Sequence, residues 1–182
     1  MGRLATFLTM LGLAGLLVAA PAWEGLSFGQ QGPGQPGATA SSSEPLAIVV
    51  NRSNSVDELS LAELRRVFLG ERSHWPNGRR ITLVMREPGE PERRTMLRDV
   101  YQMDEGALKN HLLRGLFTGE ILVSPKILAS AVGVRKFVFN VPGAIGYLRL
   151  SDVDGSVKVL KIDELLPEDK KYRLRVEVHT GN

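Results

Sequence analysis

A short segment of this chain has side chains suited to holding an anion. Residues 81–85 form an apolar, β-branched run that predicts a buried strand, and Arg86 follows it directly. A guanidinium group can clamp a phosphate or a carboxylate through two parallel hydrogen bonds, and Arg93 or Arg94 is near enough in sequence to assist. If the chain has a ligand site, we expect it to hold an anion at the end of this strand.

A second strand end contributes further polar side chains. Residues 46–50 are continuously apolar, and Asn51, Arg52 and Ser53 follow them. Ligands of open α/β sheets bind at the edge formed by the strand ends, so we expect these three residues to lie beside Arg86.

The segment after Arg86 also suits an ordinary helix start. Pro91 fits the first position of a helix, where its missing N–H has no partner to lose. Glu90 and Glu92 place negative charge where the helix dipole favours it. A structural role and a ligand-binding role both remain open for these residues.

The amino-acid composition excludes several common kinds of catalytic site. The 182 residues include no cysteine and only three histidines, which excludes a thiolate zinc site and a cysteine nucleophile. We interpret His111 as a packing or surface residue, and Asp152 and Asp154 as part of a hairpin turn rather than a calcium loop. The formal net charge of +3 is too small to indicate nucleic-acid binding. We therefore predict a protein that is not an enzyme and has no cofactor, metal or nucleic-acid partner.

The remaining pattern alternates strands with helices and predicts an α/β domain. Ser60 and Glu63 form a capping box for a helix that ends before Gly70. We expect further helices to begin at Pro91, at Asp104 and at Ser124–Pro125, the last carrying Leu128 and Val132. Further strands are predicted at 145–150 and 157–162, joined by a turn at Asp154–Gly155, with an edge strand within 172–178, whereas 134–141 fits either a helix or a strand.

The N-terminus predicts export. Arg3 precedes 17 nearly unbroken apolar residues, and Ala20-Pro21-Ala22 offers a site for a signal peptidase. An uncleaved membrane anchor is the alternative reading of residues 1–22, because the apolar run reaches the lower limit for a membrane span. Residues 23–44 are rich in Gly, Gln, Pro and Ser and predict a flexible linker. We then expect a folded domain over 45–165 and a C-terminal extension over 166–182. The predicted location is periplasmic or extracellular, or membrane-tethered if the anchor is retained.

Two strings resemble the phosphate-binding proteins of ABC transporters. The first runs from Leu59 to Gly70 and continues through Trp75-Pro76-Asn77-Gly78, and the second is Val141-Pro142-Gly143-Ala144-Ile145-Gly146-Tyr147-Leu148. Both are similar to parts of the second lobe of those periplasmic proteins and occur in the same order. The resemblance implies a single lobe of the type II periplasmic-binding-protein kind, with a central mixed sheet flanked by helices.

The resemblance also implies a phosphate loop, from which this chain departs. Arg86 and Gly89 match the family's arginine and first glycine, but Glu90-Pro91-Glu92 replaces its Ser-Gly-Thr. Two carboxylates and a residue without an N–H work against an oxyanion. One hypothesis is therefore a solute-binding lobe for phosphate or another small oxyanion, with ligand-binding residues Arg86, Gly89, Asn51, Arg52, Ser53 and Arg93. We expect such a lobe to act as a homodimer or with a membrane partner. The alternative is a ligand-free module that binds an envelope protein.

Overall fold

The computed structural model describes residues 42–178, which form a mixed sheet with helices on both faces. The predicted signal or anchor segment and linker residues 23–41 lie outside the described residues. The strands are β1 (Ser42–Asn51), β2 (Glu58–Leu59), β3 (Thr82–Arg86), β4 (Lys126–Leu128), β5 (Ala144–Arg149), β6 (Val157–Val159), β7 (Lys161–Ile162) and β8 (Arg175–Val178). The helices are α1 (Leu61–Phe68), α2 (Pro91–Met96), α3 (Glu105–Thr118) and α4 (Ala131–Asn140); a π-helical turn (Leu97–Tyr101) continues α2, and a short 3-10 turn (Leu150–Asp152) follows β5.

The central sheet has the strand order β4-β3-β5-β1-β6, and β8 pairs with the first residues of β1. Strands β3, β4 and β5 are mutually parallel, with Arg86 opposite Leu128 and Thr82 opposite Ala144. Strand β1 runs antiparallel to β5, β6 and β8. The predicted α/β class and mixed sheet are confirmed.

Alternation along the strands divides the core between the two faces of the sheet. On one face, alternate residues of β1, β3 and β5 pack against α1, α3 and the α2 segment; Leu46, Ile48, Met85 and Tyr147 are among them. On the other face the intervening residues pack against α4, whose Val134 and Val138 are fully buried. Both faces of the sheet are therefore covered, as the continuous apolar strands predicted.

The predicted start of α1 is confirmed. The Ser60 hydroxyl accepts a hydrogen bond from the Glu63 amide at 3.2 Å, and the Glu63 carboxylate accepts one from the Ser60 amide at 2.9 Å. These two bonds satisfy amides that the helix itself leaves unpaired. The Ser60 hydrogen bonds also hold the pKa of Glu63 below its ordinary value.

The helix predicted from Ser124–Pro125 is wrong. Residues Lys126–Leu128 instead form β4, which extends the sheet beside β3. The next helix begins only at Ala131, where the Ser130 hydroxyl caps it by accepting from the Gly133 amide at 3.0 Å. Pairing with β3 thus overrides the local helix signal of residues 124–128. The stretch 134–141, which fits either a helix or a strand by sequence, is helical as far as Asn140.

The hairpin predicted around Asp154–Gly155 is also wrong. Strands β5 and β6 lie on opposite sides of β1 and do not pair with each other. Both strands run antiparallel to β1, so the connection between them crosses over β1 from the level of Leu46 to that of Asn51. A two-strand pattern with a turn between cannot reveal that a third strand separates the pair.

The ends of the described region belong to the sheet. Ser42–Glu44, placed in the linker by composition, begin β1 and pair with β8. Tyr172, within the predicted extension, is buried, and its hydroxyl donates to the Leu46 carbonyl at 2.9 Å. Within residues 42–178, every helix is too short or too polar to cross a membrane.

Candidate functional site

The direction of β1 separates the two predicted halves of the ligand site. Because β1 is antiparallel to β5 while β3 is parallel to it, the carboxyl ends of β1 and β3 lie at opposite edges of the sheet. Asn51, Arg52 and Ser53 therefore do not lie beside Arg86, and that prediction is wrong. The rule used for it assumes parallel strands.

The three residues at the end of β1 have partners of their own. The Asn51 amide donates to the carbonyls of Val138 and Phe139, which lie in the last turn of α4. Arg52 donates to the Gly155 carbonyl, and the Ser53 hydroxyl accepts from Arg79 at 2.7 Å. These bonds join the end of β1 to the neighbouring helix and loops.

Arg86 is held among carboxylates at the opposite edge. Its side chain is only 9% exposed, and its guanidinium lies 2.7 Å from Glu90 and 3.8 Å from Glu92. It also donates to the Leu128 carbonyl at the end of the adjacent β4. The Arg86 Nε atom and one Glu92 oxygen are buried without a hydrogen-bond partner. The chain's own carboxylates thus stand around the guanidinium predicted to bind an anion.

Arg93 lies beside Arg86 and joins two elements. Its guanidinium donates to the Arg86 carbonyl at 2.8 Å and forms two hydrogen bonds with the carboxylate of Glu105, at the start of α3. Burial works to lower the pKa of Arg93, but the hydrogen bonds and the charge of Glu105 outweigh it and raise that pKa. Arg93 is therefore a firmly charged residue that already has a carboxylate partner.

Arg149 completes a connected cluster that the sequence did not indicate. It ends β5, and its guanidinium contacts Glu92 and, at 3.7 Å, Glu44 of β1. Its position after Gly-Tyr-Leu at a strand end was the available signal. The cluster as a whole contains Arg86, Arg93, Arg149, Glu44, Glu90, Glu92 and Glu105. With three arginines and four glutamates, its formal charge is −1, so it has no positive excess to attract an anion.

Gly89 lies in the turn between β3 and α2. Its φ of +90° is left-handed, which favours glycine, and a Cβ there would meet no atom within 4 Å. Its carbonyl accepts a hydrogen bond from Arg94. The structure thus brings Arg86, Gly89 and Arg93 together and leaves the three β1 residues apart.

Tyr147 of β5 forms a buried hydrogen bond with the backbone of Arg86. Its hydroxyl accepts a hydrogen bond from the Arg86 amide at 3.0 Å inside the core. Burial raises the pKa of Tyr147 well above its ordinary value. The neutral phenol is therefore part of the folded state.

Replacing Tyr147 with phenylalanine should be destabilising at neutral pH. The Arg86 amide would be buried without a partner, at a cost of about 1–3 kcal/mol. The pKa of the Tyr147 hydroxyl is higher in the folded chain than in the unfolded chain. The hydroxyl therefore stabilises the fold below about pH 10, and this contribution is lost as the pH rises further. Above about pH 10, the free energy of unfolding should therefore fall less steeply with pH in the variant than in the unmodified protein. The two slopes should differ by about 1.4 kcal/mol per pH unit. Urea unfolding of both proteins between pH 7 and 11 measures this; parallel pH curves would contradict it.

The other residues considered for chemistry have structural partners. A ring nitrogen of His111 lies 2.8 Å from the Leu69 carbonyl, and Trp75 is buried with its indole N–H donating to the Gly143 carbonyl. Asp154 accepts from Ser156 and pairs with Arg135. No group of three or more metal-ligating side chains occurs between residues 42 and 178.

Three known proteins that this chain resembles in sequence or structure are named for phosphate binding or phosphate transport. Phosphate-binding protein PstS of Bacillus subtilis is 31% identical over 130 residues, covering 69% of this chain and 38% of that protein. A phosphate ABC transporter substrate-binding protein from Clostridium perfringens, solved with bound phosphate, has a TM-score of 0.62 at 21% identity over 75% of this chain and 54% of its own. An ABC-type phosphate transport receptor from Vibrio cholerae has a TM-score of 0.58 at 20% identity over 75% of this chain and 55% of its own. No family model matches the chain.

These matches confirm the fold, and they show that the similarity covers only part of each relative. The chain spans 38% of the length of PstS and about half of the two solved proteins. The described residues therefore have the fold of one lobe of the type II periplasmic-binding-protein kind.

Proposed function

Because the chain is a single-lobe relative of the phosphate-binding proteins of ABC transporters, we propose that it recognises a small oxyanion, with phosphate as the first candidate. The proposed site is the edge of the sheet at Arg86, Gly89 and Arg93. Asn51, Arg52 and Ser53 are left out of it, because they lie at the other edge. The proposed role is binding and not catalysis, in keeping with the binding and transport roles named for the relatives.

One contact carries this proposal: the ion pair between Arg86 and Glu90. The Glu90 side chain is 35% exposed, whereas Arg86 is 9% exposed, so the carboxylate covers the guanidinium from the solvent side. A carboxylate and a phosphate make the same kind of bidentate contact with arginine. An oxyanion would therefore take the place of Glu90, after that side chain turns into solvent.

Glu92 is not displaced in the same way. Its side chain is 7% exposed and is held by Arg149 as well as facing Arg86. It therefore keeps a negative charge beside the site, which weakens the binding of any anion and most of all a doubly charged one.

Competition by Glu90 sets the expected strength of binding. A tethered carboxylate acts at an effective concentration of millimolar or more, and a free anion has to exceed it. A single lobe also leaves one side of the anion in water. Weak binding is the expected result for the unmodified chain, unless a partner or a second copy closes over the site.

The lack of positive excess in the arginine cluster favours a second candidate function. If Glu90 and Glu92 replace the anion permanently, the lobe retains its fold without a ligand and acts as an interaction module of the cell envelope. In either case export of the chain, with or without tethering to the membrane, remains part of the proposal.

Calorimetric titration of the full chain in a mild detergent tests the first candidate. We expect weak heat with phosphate, sulfate or a small dicarboxylate, and at least about tenfold tighter binding, or about 1.4 kcal/mol, for Glu90→Gln. Arg86→Lys should lose the gain, since lysine lacks the planar fork of arginine. The matched control is Glu120→Gln, which removes an exposed carboxylate from the loop after α3.

Two results would reject oxyanion binding at Arg86. One is the absence of heat with all three anions in both the unmodified chain and folded Glu90→Gln. The other is equal strengthening by Glu90→Gln and Glu120→Gln, which would reflect overall charge alone. The first result would leave the interaction module as the proposed function.

A further inference from the structure

Helix α3 has an apolar stripe on its exposed side. Its buried residues are Leu108 and Gly115, which face the core. Leu113, Leu116 and Phe117 are spaced three and four residues apart on another side of the helix and are 44%, 37% and 89% exposed. The helix therefore has a second apolar side that is partly exposed within residues 42–178, most of all at Phe117.

The turn after α3 extends this stripe. The Ile121 amide donates to the Gly115 carbonyl at 2.9 Å, which brings the turn back against the helix. Leu122 and Val123 follow and are 57% and 40% exposed. We call the exposed residues Leu113, Leu116, Phe117, Leu122 and Val123 the apolar tip.

Cations flank the apolar tip along the chain. Lys109, Arg114 and Lys126 are all exposed, and none of them forms a salt bridge in the described part of the chain. Glu120 is the acidic residue within the same stretch. Apolar side chains flanked by lysine and arginine are typical of helices that lie in the interface of an anionic membrane.

We propose that the apolar tip docks onto the interfacial region of a bilayer that contains anionic lipid. Charge complementarity favours this partner over a second copy of the chain, because two copies meeting at the tip would bring their cations together. The 89% exposure of Phe117 also suits a fluid surface, which needs no matching pocket. The sequence adds an apolar run at residues 4–20, only 21 residues before β1, which would hold the domain near a membrane if it is retained.

A single fluorescent probe at the tip tests this docking whether or not the N-terminal segment is present. The chain has no cysteine, so Thr118→Cys provides one labelling site for an environment-sensitive dye next to Phe117. The full chain is mixed with phosphatidylcholine vesicles or with vesicles one-third phosphatidylglycerol. We expect a blue shift and a rise in emission with the anionic vesicles, reduced by added salt. A probe at Lys170→Cys, on the exposed loop before β8, is the control and should not respond.

Two sets of substitutions separate the apolar and the charged contributions. In the labelled chain, Phe117→Ser should weaken docking about tenfold, because the phenylalanine side chain is the largest apolar group at the tip. Lys109→Gln and Arg114→Gln should each weaken it about fivefold with anionic vesicles only. All of these side chains are exposed, and circular dichroism checks that the variants remain folded.

Several outcomes would overturn the proposal. No response to either vesicle, or an equal response to both, would exclude docking driven by anionic lipid. A response that depends on protein concentration without vesicles would assign the tip to a second copy. A shielded dye at every protein concentration without lipid would mean that another part of the chain covers the tip.

Discussion

Gly143→Ala is expected to lower the free energy of unfolding by at least about 3 kcal/mol. A Cβ at this position would lie 2.0 Å from the Arg80 carbonyl oxygen, far inside contact distance. That oxygen belongs to the backbone, so no side-chain rotation can relieve the clash. The Gly143 carbonyl also accepts from the Thr82 amide and the Trp75 indole, so a shift would break the start of the β3–β5 pairing.

The matched control for this substitution is Gly155→Ala. A Cβ at Gly155 would meet nothing within 4 Å, and its φ is not left-handed, so we expect a change within about 0.5 kcal/mol. Urea unfolding of the full chain, followed by near-ultraviolet circular dichroism, compares the two. Similar midpoints for Gly143→Ala and Gly155→Ala would mean that the loop before β3 can move aside.

The sequence predicts elements whose signals are local. The Ser60–Glu63 capping box, the Asp104 cap of α3 and the apolar strands β1, β3 and β5 need no distant partner to be recognised, and all of them are present. Where a distant partner decides the conformation, prediction fails. Strand β4 is the example, because only pairing with β3 makes Lys126–Leu128 extended after a serine-proline pair typical of a helix start.

The candidate site depends on strand direction, which no short pattern encodes. Arg86 was identified from its own position after an apolar run, and Gly89 and Arg93 follow within the same loop and helix. The rule for parallel sheets predicts Asn51 at the same edge, whereas the antiparallel β1 carries it to the other edge. Arg149 was missed, because only the β3–β5 pairing brings it near Glu92.

The opposing effect of Glu90 and Glu92 on an anion was predicted from their charge. The structure adds a distinction between them. Glu90 is partly exposed, and Arg86 is the one ion-pair partner of its carboxylate within residues 42–178, whereas Glu92 is buried between Arg86 and Arg149. In the proposed site the first would give way to an oxyanion, and the second belongs to the folded core.

Arg86→Met is expected to destabilise the fold by about 3–5 kcal/mol, because it leaves the buried Glu92 carboxylate with only one cation. Adding Glu92→Met should restore at least half of the loss, because no unpaired buried charge then remains and Arg149 keeps Glu44. Urea unfolding of the unmodified protein, the two single variants and the double variant gives the coupling free energy between Arg86 and Glu92. The exposed pair Arg66–Glu71 is the control, and Arg66→Met should change stability by less than about 0.5 kcal/mol.

The result of this double-mutant cycle bears on function as well as stability. A strong coupling would mean that the fold itself requires a carboxylate beside Arg86, so that a bound anion competes with a structural contact and only Glu90 is free to yield. A coupling below about 0.5 kcal/mol would contradict the expected role of the pair in stability. The structural contacts of the Arg86 side chain would then be those with Glu90 and with the Leu128 carbonyl, and the first of these is the contact that the proposed oxyanion would replace.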